Sequence, residues 1–127
     1  MAPVFLDLPE LLEIHRDQIE RYGGAGGIRD LSLLQSAAAM SAAGFGGQYL
    51  HVDLYEMAAA YLFHIVQNHP FVDGNKRTGA VAAIVFLMMN GVELEADVEG
   101  LEALARDVAQ GRADKARIAE FFRSIAR

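Results

Sequence analysis

At 127 residues and 53% hydrophobic content the chain is long enough to bury a core as one domain, 1–127, and too apolar to remain disordered. Without cysteine it forms neither disulfide staples nor thiolate zinc sites, and a formal net charge of −6 argues against direct nucleic-acid binding, which leaves a basic footprint. The apolar run from Gly79 to Met89 falls short of the roughly 20 residues of a bilayer span, and no basic segment leads into an apolar stretch at the start, so a soluble cytoplasmic protein with no membrane partner is expected.

Asp7 followed by Glu10 has the spacing of a capping box, with Pro9 in the first turn, and predicts a helix. Leu8, Leu11, Leu12, His15, Ile19 and Tyr22 recur at helical spacing as its buried face, and Gly23-Gly24 ends it. His15 lies on that stripe and reads as a core histidine with a satisfied ring. The glycine-rich segment from Gly23 to Asp30 follows no strand and matches neither nucleotide fingerprint, so a structural turn is the better account. Asp30 can cap a second helix from Leu31 to about Ala43. Residues 44–52, with Gly44, Gly46, Gly47, Phe45 and Tyr49, form a flexible connection as local sequence.

Asp53 and Glu56 repeat the capping-box spacing and start a helix over Tyr55 to Gln67. Its apolar residues occupy more than one side, which marks it as the central buried helix. His64 precedes His69 by five positions, not the four of a zincin helix, and reads as a packed side chain. Beyond a polar loop comes another helix, Thr78 to Met89, with Asn75 to Thr78 as its first turn. It is apolar nearly all round and should pack beside its predecessor. Asn90-Gly91 ends it, Val92 to Leu94 is briefly extended, Asp97 caps a helix running past Val108 to Gly111, and Asp114 opens a last one with Ile118, Phe121, Phe122 and Ile125 on one face. The whole reads as an all-α, compact bundle of about six helices.

Chemically capable side chains crowd into the loop His69-Pro70-Phe71-Val72-Asp73-Gly74-Asn75-Lys76-Arg77-Thr78-Gly79. His69 offers an imidazole suited to proton exchange near neutrality. Pro70 stops the preceding helix, and Phe71 is an apolar plug. Asp73 is a hard oxygen ligand of the kind magnesium takes singly or in pairs, leaving room for phosphate oxygens. Gly74 permits close backbone approach, and Asn75 to Thr78 open a helix whose free amides favour an anion, with Lys76 and Arg77 adding positive charge. Each feature alone has an ordinary explanation as turn, cap or solvated face. Their conjunction suggests a base, a metal carboxylate and a phosphate cradle.

The loop resembles the Fic motif, His-Pro-Phe-x-(Asp/Glu)-Gly-Asn-Gly-Arg-x-x-Arg, on which His69, Pro70, Phe71, Asp73, Gly74, Asn75 and Arg77 all fall. Lys76 stands where most Fic proteins have glycine, and Ala80 where they have a second arginine. Both departures resemble the Doc (death on curing) toxin branch, written His-x-Phe-x-Asp-x-Asn-Lys-Arg. Arg21-Tyr22-Gly23-Gly24 and Asn90-Gly91-Val92 extend the likeness over most of the chain.

The resemblance implies the Fic fold, in which residues 44–52 correspond to a flap that holds the target chain as an added strand. It implies an ATP- and Mg²⁺-dependent protein kinase, with His69 catalytic, Asp73 on the metal, and Gly74, Asn75, Lys76 and Arg77 on the nucleotide. A lysine at position 76 goes with a nucleotide whose γ-phosphate faces the histidine, and the target implied is a threonine of elongation factor Tu. AMP transfer to a protein hydroxyl is the alternative, followed by an inactive nucleotide- or peptide-binding module and a metal-dependent hydrolase using His64, His69 and Asp73. The inhibitory (Ser/Thr)-x-x-x-Glu-(Gly/Asn) motif of many Fic proteins is missing: Glu99-Gly100 has Glu95 where the hydroxyl residue belongs. Restraint by a separate Phd-like antitoxin is implied instead.

Overall fold

Aspartates open five of the six helices. The computed structural model describes residues 2–127, arranged as α1 (Leu8–Tyr22), α2 (Leu31–Met40), the strand pair β1 (Gly44–Phe45) and β2 (Gln48–Tyr49), α3 (Leu54–Asn68), α4 (Asn75–Met89), α5 (Val98–Ala109) and α6 (Lys115–Ile125). Asp7, Asp30, Asp53, Asp97 and Asp114 each accept a hydrogen bond from an amide of the first turn. Such caps satisfy donors that the helix itself leaves unpaired, at about 1 kcal/mol apiece. Only α4 starts without one: its N-cap is Gly74, in the left-handed region at φ 79°.

The centre is α3. Met57 to Leu62, Ile65 and Val66 are all buried, and α4, α6 and α2 pack around them. Burial of this many large apolar side chains, at roughly 1.5–3 kcal/mol each, makes α3 and its neighbours the rigid part of the molecule. Gly79 lets α4 approach α3 closely, because a Cβ there would sit 3.2 Å from the Leu62 carbonyl oxygen and 3.2 Å from Val66. The approach occurs one turn into α4, so it fixes the spacing of the two helix ends that carry the polar loop. Tyr61, fully buried, accepts from the Leu6 amide at 2.8 Å and donates to the Leu6 carbonyl at 3.2 Å. Desolvation pushes its hydroxyl up to about 12.

The predicted helices are all present, with differences that tertiary contacts explain. The second was expected to reach about Ala43, but it ends at Met40. There the Ser41 hydroxyl donates to the Met57 carbonyl of α3, and the chain turns so that Leu50 N–H meets Ala43 O at 2.8 Å. That closes 44–49 into an antiparallel hairpin, Gly44 opposite Tyr49 and Phe45 opposite Gln48, a short flap where the local sequence reads as a flexible connection. The buried centre of α1 is Leu11, His15 and Gln18, whereas Tyr22 is 68% exposed. At the end of α4, which is apolar nearly all round, Met88 and Met89 are exposed. Val92 to Leu94 is extended as predicted, and it pairs with the C-terminus through a bridge between Leu94 and Ala126.

Candidate active site

The polar loop spans the gap between the end of α3 and the start of α4. His69 follows the last residue of α3 with φ 50° and ψ 54°, the only non-glycine positive φ among the described residues. A left-handed turn lets Pro70 leave the helix axis and drops Phe71 into the core, where it is fully buried. The Phe71 amide donates to Asn75 Oδ1 at 3.0 Å, and its carbonyl accepts from Asn75 Nδ2 at 3.0 Å. Those two bonds fix which end of the Asn75 amide is nitrogen. The second hydrogen of Nδ2 then faces His69 Nδ1 at 3.1 Å. Nδ1 is therefore the acceptor, and in the neutral ring the proton resides on Nε2.

Asp73 is held on three sides. Its Oδ1 accepts from Gly74 N–H at 2.8 Å and its Oδ2 from Ala25 N–H at 3.3 Å. These backbone donors, with lesser help from Arg77 and Lys76, hold the exposed carboxyl below its ordinary range, so it is ionised at neutral pH. The Asp73 carbonyl accepts from His15 Nε2 at 2.8 Å, and the His15 ring stacks on Phe71 at 3.7 Å between centroids with only 4° between planes. His15 is thus buried and bonded, as predicted. Gly24 makes room for the carboxylate: a Cβ there would lie 2.7 Å from Asp73 Oδ2.

At the start of α4 no side chain occupies the capping position. The opening amides and positive dipole end are left available to an anion. Lys76 is exposed beside them. Arg77 is anchored rather than free: it donates to Gly23 O at 3.0 Å and Gln18 O at 3.4 Å, with its guanidinium 5.9 Å from the Tyr22 ring centroid. It still borders the same space. A cavity of about 440 Å³ gathers His69, Asp73, Gly74, Asn75, Lys76 and Arg77 in one lining.

Three further residues complete that lining: Val66, Gln67 and Ala109. Gln67 donates to the Val108 carbonyl at 2.5 Å and so ties the end of α5 to α3. Nothing local in the sequence points to Ala109, which reaches the cavity only because α5 folds back over α3. His64 does not line it. Its Nε2 lies 3.2 Å from Lys115 Nζ, and burial, with the Lys115 and His51 charges, pushes the ring down to about 4. A hydrolase built on His64, His69 and Asp73 therefore has no common site. No group of three His, Cys, Asp or Glu side chains suited to a metal occurs among the described residues. Asp73 stands as a lone ionised carboxylate beside an anion-ready helix end, a donor set that fits magnesium shared with phosphate oxygens.

A mostly helical shell with its polar pocket at the junction of two central helices is consistent with the Fic-fold class. The Fic/DOC family profile matches residues 5–87. The chain is 43% identical over 90 residues to Toxin Doc of Mycolicibacterium smegmatis (strain ATCC 700084 / mc(2)155), covering 69% of each chain. It is 32% identical over 116 residues to Protein kinase doc of Escherichia phage P1, covering 91% of this chain and 90% of the relative. The chain belongs to the Fic/DOC family.

Proposed function

We propose that this protein is a Doc-like toxin that transfers the γ-phosphate of ATP to a threonine hydroxyl of a protein target, with elongation factor Tu as the target and arrest of translation as the result. The observation that carries the proposal is the meeting, around one cavity, of the His69 ring, the Asp73 carboxylate, the uncapped start of α4 and Lys76. Phosphoryl transfer asks little of a protein beyond positioning and charge neutralisation, which is what this set offers.

In this scheme His69 takes the hydroxyl proton as the target attacks. The proton needs a free nitrogen, yet the neutral ring holds its lone pair at Nδ1, shared with Asn75. The target hydroxyl can take the place of the Asn75 amide at Nδ1, which costs one hydrogen bond, about 1 kcal/mol, and leaves the tautomer unchanged. That is small beside the roughly 10² to 10⁴ in rate that a general base contributes, so the role survives the resting geometry. Gly74, Asn75, Lys76 and Arg77 would hold the phosphates, and Asp73 would hold the metal. A magnesium ion bound there would draw charge from the phosphate oxygens.

Lys76 and Ala80 favour phosphate over AMP transfer. Lysine fills space that glycine leaves open at position 76, and buried Ala80 brings no second guanidinium. The relatives named as a toxin and a protein kinase point the same way. By the same likeness, a cytoplasmic Phd-like antitoxin restrains the protein. The apolar trough between α1, α4 and α5, which shares Lys76 and Arg77 with the catalytic cavity, offers room for a folded segment of it.

Incubation with purified elongation factor Tu and ATP, followed by intact-mass measurement, tests the proposal. A gain of one phosphate on threonine is expected. A gain of AMP establishes the adenylyl transferase, and no gain leaves only a nucleotide- or peptide-binding module.

A further inference from the structure

Arg29 lies in the glycine-rich segment before α2, yet its side chain serves the end of α3. Its Nε donates to the His69 carbonyl at 2.6 Å and its Nη2 to the Asn68 carbonyl at 2.9 Å. The Arg29 and Asp30 amides both donate to Pro70 O, at 2.7 and 3.0 Å, and Val72 N–H returns a bond to Gly27 O at 3.1 Å. Ile28 bridges Phe71 in antiparallel register. Residues 27–30 are thereby fastened across residues 68–72, and the guanidinium forms no ion pair among the described residues.

We propose that Arg29 is a positioning residue for His69. A non-glycine residue in the left-handed region costs roughly 1–2 kcal/mol and persists only where its surroundings over-determine it. The rigid guanidinium fork grips two successive carbonyls, which a lysine ammonium, a single point of charge, cannot do in the same geometry. Release of the fork would let His69 relax from φ 50°, and rotation about its N–Cα bond would carry the imidazole away from Asn75. Arg29 touches neither nucleotide nor target in this scheme; it acts through the backbone of the histidine.

The activity arm of the test rests on the phosphotransfer proposed above, so a second arm does not use activity. Arg29→Met and Arg29→Lys are prepared in the full chain. For each, denaturant unfolding, the His69 ring ¹⁵N spectrum, and kcat and KM for ATP are measured. In the parent, the ring spectrum should report the Nε2–H tautomer. Arg29→Met should stay folded, show a mixed or exchanging tautomer, and lose at least tenfold in kcat with KM within about twofold. Added methylguanidinium should restore part of both signals, and Arg29→Lys should fall between. If Arg29→Met does not fold, Arg29→Lys carries both arms. Lower stability with an unchanged ring spectrum and unchanged kcat would make Arg29 a helix cap only and overturn the proposal. Should the parent itself transfer no phosphate, the proposed function fails, while the ring spectrum still decides the role of Arg29.

Discussion

Two residues carry opposite kinds of consequence in the polar loop. His69 is exposed and contributes nothing to the core, so His69→Ala should lower phosphotransfer by about 10² to 10⁴ while unfolding shifts by no more than about 1 kcal/mol. A variant that phosphorylates its target at the parental rate removes the base from the mechanism. Asn75 is buried and bridges both polar groups of Phe71 as well as the His69 ring. Truncation to alanine leaves a buried amide and a buried carbonyl unpaired, which costs about 1–3 kcal/mol. Urea titration of Asn75→Ala should show that loss, and the His69 ring should lose its fixed tautomer in the same protein. The types of both residues, and their six-residue spacing, are visible in the chain. That the Asn75 amide faces the Nδ1 edge is not, because its orientation is imposed by the buried Phe71 backbone.

Between elements, the α3–α6 contact holds a second titrating group. His64 of α3 and His51 just before it face Lys115 at the start of α6, with the Glu56 carboxylate near His51. Both imidazoles are held below the ordinary 6.5, chiefly by burial, and His64 falls to about 4. Above pH 6.5 the rings are neutral whether the chain is folded or not. As pH falls from 6.5 towards 4, the unfolded chain takes protons that the folded chain refuses, so stability declines through that window. Depressed carboxylates such as Asp30 and Asp73 add their losses only below 3.8. Unfolding midpoints should therefore drop between about pH 7 and pH 4.5, and His64→Gln should drop less. A flat parental profile over that range would refute the account. Sequence spacing identified His64 as a packed side chain, but a distance of 51 positions along the chain hid its lysine neighbour.

For the molecule as a whole, closure of the N-terminal segment onto the core depends on few polar bonds. Tyr61 grips both backbone groups of Leu6, and Tyr61→Phe should cost about 1–3 kcal/mol by leaving them unpaired, measured as a lower thermal midpoint with phosphotransfer retained. Five of the six helix starts were legible because capping is local: an aspartate and an amide three residues on suffice, wherever the rest of the chain lies. The polar loop was legible for the same reason, since its chemistry is contiguous between His69 and Gly79. Hidden from that view were the parts assembled from distant segments. The grip of Arg29 on His69 spans 40 residues, and the bond from His15 to Asp73 spans 58. Ala109 enters the cavity wall only when α5 lies against α3. The order of residues determined which helices form and which side chains could do chemistry. Packing decided which of those side chains share a cavity and which nitrogen of His69 holds the proton, because both depend on contacts that no local pattern encodes.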